Sequence, residues 1–91
     1  MRIRIGHGAT ARVWQAEDGL HIDVRGLAPP APMVEILRLI EAPQPPDALT
    51  AHLDREPIYF YPELDARGWS YDIAARGDEG FALRLKRDAA A

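Results

Sequence analysis

Two histidines stand where they could do chemistry together. His21 and His52 each fall on the polar side of a short alternating stretch, "GLHIDV" and "ALTAHLD". If the two stretches pair as neighbours, the imidazoles approach each other with Asp23, Asp54 or Asp72 nearby. Two histidines and a carboxylate make a ligand set for a divalent metal. The opposing reading is equally plain: no tight histidine spacing is present, and histidines on a solvated sheet face are common. His7, between Gly6 and Gly8, reads as a loop residue.

The second place for chemistry is the string "DVRGLAPPAPM", where Arg25 and Gly26 lead through Pro29, Pro30 and Pro32 into a helix at Met33. A bare helix N-terminus attracts anions through its free N–H groups and its dipole. Proline has no N–H, so only Ala28, Ala31 and Met33 can donate nearby, and a multidentate phosphate cradle is not expected. The prolines stiffen the strand-to-helix corner by fixing φ in advance. The corner then offers a rigid apolar knob to a partner, or a one-donor anion site helped by Arg25. Arg25 itself either ties the corner to Asp23 or a later carbonyl, or contacts a ligand.

Other chemistries find little footing. The sequence has no cysteine, which removes disulfides, thiolate metal sites and thiol nucleophiles. Ser70 is the single serine and has no evident His-plus-acid set around it. "RIGHGATA" holds only a Gly-x-Gly, a weak phosphate-loop signal. Tyr59, Phe60, Tyr61, Trp69 and Tyr71 form an aromatic-rich region, part core and part, with Trp14, a surface for a partner. No catalytic residue and no cofactor is expected.

Composition supports these exclusions. The 91 residues are 47% hydrophobic and 27% charged, which suits one ordinary globular domain. The net charge of -3, with 11 Lys and Arg scattered among 14 Asp and Glu, lacks the basic stripe that nucleic-acid binding needs. "MRIRIGHGATAR" has no continuous apolar run, and no stretch is long and apolar enough to span a bilayer. A cytoplasmic protein with no nucleic-acid and no membrane partner is expected.

The elements that must position these residues follow from periodicity. "MRIRI" alternates until Gly6 and Gly8 break it. Residues 11–16 and 20–25 read as two strands joined by Glu17-Asp18-Gly19, since Gly accepts the positive φ of a hairpin turn. "PMVEILRLIE" is an amphipathic helix with Met33, Ile36, Leu37 and Ile40 on one face, and Pro43, Pro45 and Pro46 end it. "ALTAHLD" is a strand. A second helix is expected over about residues 58–67, disturbed early by Pro62 and closed by Gly68. "WSYDIAA" and "FALRLKR" form a final hairpin across "RGDEG".

The order β-α-β-α-β-β, with one apolar face per strand, predicts an α/β two-layer sandwich of the α+β class. It has a mixed four-stranded sheet, two helices on one face and an N-terminal β-hairpin extension. The expected division is residues 1–19 as an extension with an added strand, 20–87 as the domain and 88–91 as a frayed tail. The added edge strand leaves a monomer or an edge-paired homodimer open.

"IDVRGLAPPAPMVEIL", in a chain of this order, resembles the sulfur-carrier family of TusA and SirA. That family's signature is Asp-x-Arg-Gly-Leu followed by a Cys-Pro-x-Pro motif. Asp23, Arg25, Gly26 and Leu27 match, Pro30 and Pro32 match the two motif prolines, and Pro29 stands at the cysteine position. The string, with "DREPIYFYPELDARGW" downstream, is more similar still to a cysteine-less branch, the proteins of "domain of unknown function 2249". The resemblance covers about residues 20–87. It implies a carrier-like fold without sulfur relay, because a persulfide needs a thiolate that this chain lacks. It further implies a non-enzymatic accessory role toward another protein, of a hemerythrin-like, redox or nitrogen-oxide-related kind. The residues expected to meet that partner or a ligand are Arg25, Gly26, Pro29, Pro30, Pro32, Met33, Tyr59 and Tyr61. The alternative is a small-ligand or metal-binding protein using the same corner with His21 and His52.

Overall fold

The computed structural model describes residues 11–88; the alternating stretch "MRIRI" and the loop reading of His7 lie outside them. Strands β1 (Arg12–Ala16) and β2 (Gly19–Asp23) are followed by helix α1 (Ala31–Ile40), strand β3 (Ala48–Leu53) and helix α2 (Tyr61–Ala66). Strands β4 (Trp69–Ala75) and β5 (Phe81–Arg87) close the chain, separated by one 3-10 turn at Gly77–Glu79.

The sheet is mixed and five-stranded, in the order β1-β2-β3-β5-β4. Only β2 and β3 run parallel, and α1 is the crossover that such a pair requires. The expected count of four strands in the sheet is therefore corrected to five. β1 pairs with β2 along its whole length, from Arg12 opposite Asp23 to Ala16 opposite Gly19, so the hairpin continues the sheet. The two-residue turn Glu17-Asp18, with Gly19 after it at φ 117°, makes that continuity possible.

One core unites the helices with one parity of strand residues. Ile36 and Ile40 of α1 and Leu64 of α2 are buried with Ile22, Leu49, Ala51, Leu53, Leu83, Leu85 and Trp69. The intervening strand residues point the other way, among them His21, Thr50, His52, Asp72 and Arg84. In α1 the buried positions Pro32, Ile36 and Ile40 follow a four-residue spacing that keeps one stripe inward. Among the described residues, no helix is long and apolar enough to cross a membrane.

The second helix is shorter than its periodicity suggests. It starts at Tyr61, with Pro62 in the first turn, where a missing N–H breaks no helical bond. Residues 57–60 form turns instead, and the Phe60 N–H bonds to the Pro57 carbonyl at 2.9 Å. Arg67 follows the helix, and its Nη1 meets Glu63 at 2.8 Å while its Nε donates to Glu41 beyond α1. Asp88, expected as part of the tail, donates its N–H to the Gly68 carbonyl at 2.9 Å.

Two glycines contrast in what they tolerate. Gly68 has φ +78° and open space where a Cβ would stand. Gly80 has φ +87°, and a Cβ there would meet the Leu53 carbonyl oxygen at 2.1 Å. Gly68→Ala should cost about 1 kcal/mol, from backbone strain alone. Gly80→Ala should cost about 3 kcal/mol or more, because strand β3 must also give way. Urea unfolding of the two variants checks the difference, and equal losses would contradict this packing.

Candidate functional site

At the end of β2 the chain turns on its own charges. The Asp23 carboxylate accepts the Arg25 backbone N–H at 3.0 Å, Arg25 Nε at 2.9 Å and Arg25 Nη2 at 2.8 Å. The third arm, Nη1, donates to the Glu79 carbonyl at 3.2 Å and so ties the corner to the β4–β5 connection. These guanidinium hydrogen bonds hold the Asp23 carboxyl down at about 2. Gly26, at φ 85°, donates its N–H to Asp54 Oδ2 at 2.7 Å, linking the corner to the loop after β3.

The helix entrance is equally self-contained. The Ala31 N–H bonds to Ala28 O at 2.9 Å, and Met33 and Val34 both donate to Pro30 O at 3.1 Å. Two of the donors open to an anion in the sequence, Ala31 and Met33, are thus used within the turn itself. Pro29 and Pro30 stand exposed, whereas Pro32 is buried and Met33 packs half-buried against the core.

The two tyrosines separate as well. Tyr59 is 88% exposed, and its neighbour Ile58 is 54% exposed. Tyr61 stacks on Tyr71, with ring centroids 4.6 Å apart, and its hydroxyl donates to Glu56 at 3.1 Å. Burial, with that hydrogen bond, pushes the Tyr61 phenol up to about 12. The expected site residues therefore divide: Pro29, Pro30 and Tyr59 face solvent, while Arg25 and Gly26 are held in hydrogen bonds. Pro32, Met33 and Tyr61 serve packing.

On the opposite sheet face, strand register builds a lattice of side chains. One row runs Trp14, His21, Thr50, Arg84, Asp72, and the next runs Arg12, Asp23, His52, Ala82, Ala74. His21 Nδ1 lies 3.0 Å from His52 Nε2, and His21 Nε2 lies 2.7 Å from Asp18 Oδ1. The imidazole centroids are 5.2 Å apart at 15°. With so short an N···N contact, the rings meet edge to edge, not face on face. Trp14 lies nearly parallel to both, at 5.2 and 5.6 Å.

Hydrogen-bond logic orders the chain of rings. An ionised carboxylate only accepts, so His21 donates from Nε2 to Asp18 and, when neutral, accepts at Nδ1 from His52 Nε2–H. The His21 bond holds the Asp18 carboxyl below its ordinary value. Burial, followed by the neighbouring His21, holds His52 below the usual imidazole range, with Asp23 opposing.

The two histidines named as metal candidates are placed in hydrogen bonds with each other and with Asp18. Both ring nitrogens of His21 are engaged, and Asp54 is committed to Gly26. Among the described residues, no group of three or more His, Cys, Asp or Glu could hold a metal ion. Sequence reasoning brought the two histidines together but missed their use of Asp18 and Trp14. The signal was available in the Glu17-Asp18 turn, which places Trp14 directly opposite His21.

A family model described as "Uncharacterized conserved protein (DUF2249)" matches residues 21–87. The chain belongs to that family. Comparisons with curated proteins and with solved structures find no match. The DUF2249 span holds the corner and both histidines. Asp18, Trp14 and the whole of β1 precede it, so two of the groups around His21 come from outside the matched span.

The Asp23 fork yields a signed prediction within this DUF2249 domain. Its folded value of about 2 lies below the ordinary 3.8. The fork's stabilisation is therefore complete above about pH 4 and lost as pH falls toward 2, on the order of 2 kcal/mol. Asp23→Asn should lose about that much at neutral pH and flatten the acid limb of the stability curve. Urea unfolding between about pH 7 and 2 reads both effects, and an unchanged acid limb would contradict the assignment.

Proposed function

We propose that the protein is a non-enzymatic accessory module that docks on another protein with the sheet end where β2 and β3 finish. The observation that carries this reading is the exposure of Ile58 and Tyr59, on the loop that Asp54 ties to Gly26. Pro29 and Pro30 are exposed on the corner beyond that tie. Arg25, Asp23, Gly26 and Asp54 are already tied to one another or to Glu79, so what the corner and the Ile58–Tyr59 pair offer a visitor is stiff apolar surface. Tyrosine in such a place contributes contact area at low conformational cost.

The layering taken here places both helices over one sheet face, which the shared core of α1, α2 and one strand parity supports. With no cysteine in the sequence, sulfur relay is outside the module's reach. The partner is taken to be a redox or metal protein in the cytoplasm, on the resemblance to cysteine-less sulfur-carrier-like proteins alone. Small-ligand binding is a second reading, favoured by the polar depression on the opposite sheet face.

A photo-crosslinking residue at position 59 tests the docking end in cells. The expected outcome is a discrete adduct with one protein, lost on Ile58→Asp. The same group at position 70, at the other end of the sheet, gives none. Tyr59→Ser should change stability by no more than about 0.5 kcal/mol. Equal adducts from positions 59 and 70 would contradict the proposal.

A further inference from the structure

The lattice on the polar sheet face has a gap. His52 is followed across the sheet by Ala82 and Ala74, two methyl groups where the adjacent row carries Arg84 and Asp72. The result is a depression of about 310 Å³. Its lining includes Thr50, His52, Arg76 and Arg84 along with Asp18 and Asp72.

Thr50 is the anomaly. It is only 6% exposed, the one buried polar residue among those described, yet it lines the depression. Its hydroxyl makes no hydrogen bond to any described residue. A buried hydroxyl without a partner is costly and calls for a group that the chain does not supply.

The surrounding charges say which kind of group. Asp18 is committed to His21 at 2.7 Å and approaches Arg84 at 3.7 Å. Asp72 stands at the outer end of the row, with Arg84 between it and Thr50. Arg76 has no ion pair among the described residues, and its positive charge is felt at His52. Among the described lining residues, the Thr50 hydroxyl, the Arg76 guanidinium and the Asp72 carboxylate make no hydrogen bond or ion pair, and Arg84 makes one long ion pair with Asp18 that leaves most of its fork open across the row from Asp72. Such forks match the geometry of a planar, delocalised oxyanion.

We propose that this depression binds a small planar oxyanion, a carboxylate or an inorganic anion of the same shape, seated on Thr50 and held by Arg76 and Arg84. The site is separate from the docking end. Arg25 and the proline corner take no part in it.

Nuclear magnetic resonance titration of the intact protein tests this, with sodium acetate and sodium bicarbonate in separate arms and sodium chloride at matched ionic strength. The expected result is saturable shifts at the Thr50, His52 and Ala82 amides with one or both oxyanions and none with chloride. Response to acetate alone assigns the site to organic acids, response to bicarbonate alone to the inorganic ion, and response to both to the shared shape. Thr50→Val and Arg84→Gln should each weaken binding by about tenfold or more. Arg76→Gln, at an exposed position, does the same should Thr50→Val fail to fold, and Tyr59→Ser leaves binding unchanged. Non-saturating shifts, an equal response to chloride, or wild-type affinity in a folded variant of the site would overturn the proposal.

Discussion

Parallel pairing of β2 with β3, in the register that sets Leu20 against Leu49 and Asp23 against His52, is the constraint on which the rest depends. Side chains alternate along a strand, so a slip of one residue would exchange the two faces. With β3 held by β5, a slip of β2 would throw Leu20 and Ile22 into water and turn His21 and Asp23 toward the core. The cost of burying an imidazole and a carboxylate in place of aliphatic groups makes the observed register the stable one. A parallel pair also finishes both strands at one end. The proline corner and the loop carrying Tyr59 therefore come together, and the Gly26 N–H can reach Asp54.

Polar chemistry is distributed unequally over the resulting surface. At the corner the charged and helix-entry groups are held internally: Arg25 by Asp23 and Glu79, Gly26 by Asp54, and the Ala31, Met33 and Val34 N–H groups by Ala28 and Pro30. Such closure stiffens the corner and leaves it apolar outward. The far face is the reverse. There the side chains of His21, His52, Arg76 and Arg84 surround Thr50 and two alanines, and the hydroxyl of Thr50 is left open. A rigid end that presents surface and a sheet face that presents chemistry are different instruments, and one small domain carries both.

Local signals were legible in the sequence where the physics is local. Alternation in "GLHIDV" and "FALRLKR", the Glu17-Asp18 turn and the positive φ of Gly68 each act within a few residues, and the strands and the first helix fall close to their expected places. The second helix was overestimated because Phe60 and Leu64 keep helical spacing while the Pro57–Phe60 segment satisfies its backbone through turns. Non-local register was harder. That the two histidines would meet depends on strands separated by α1, and that Trp14 would lie beside them depends on β1 joining the same sheet. The ligand role left open for Arg25 could not be weighed without its second anchor, the Glu79 carbonyl, which is remote in the chain. Thr50 gave no signal at all, because a threonine in a strand is ordinary until its burial and its lack of a partner are known.

The most direct test of the register and of the face it builds is the hydrogen bond between the two imidazoles. In protein labelled with nitrogen-15 at histidine, a scalar coupling between His21 Nδ1 and His52 Nε2 across that bond is the predicted result. It should appear near neutral pH, where His52, held below its ordinary value by burial, is uncharged. The absence of any coupling between the two imidazoles would contradict the strand pairing from which both the proposed docking end and the proposed oxyanion site follow.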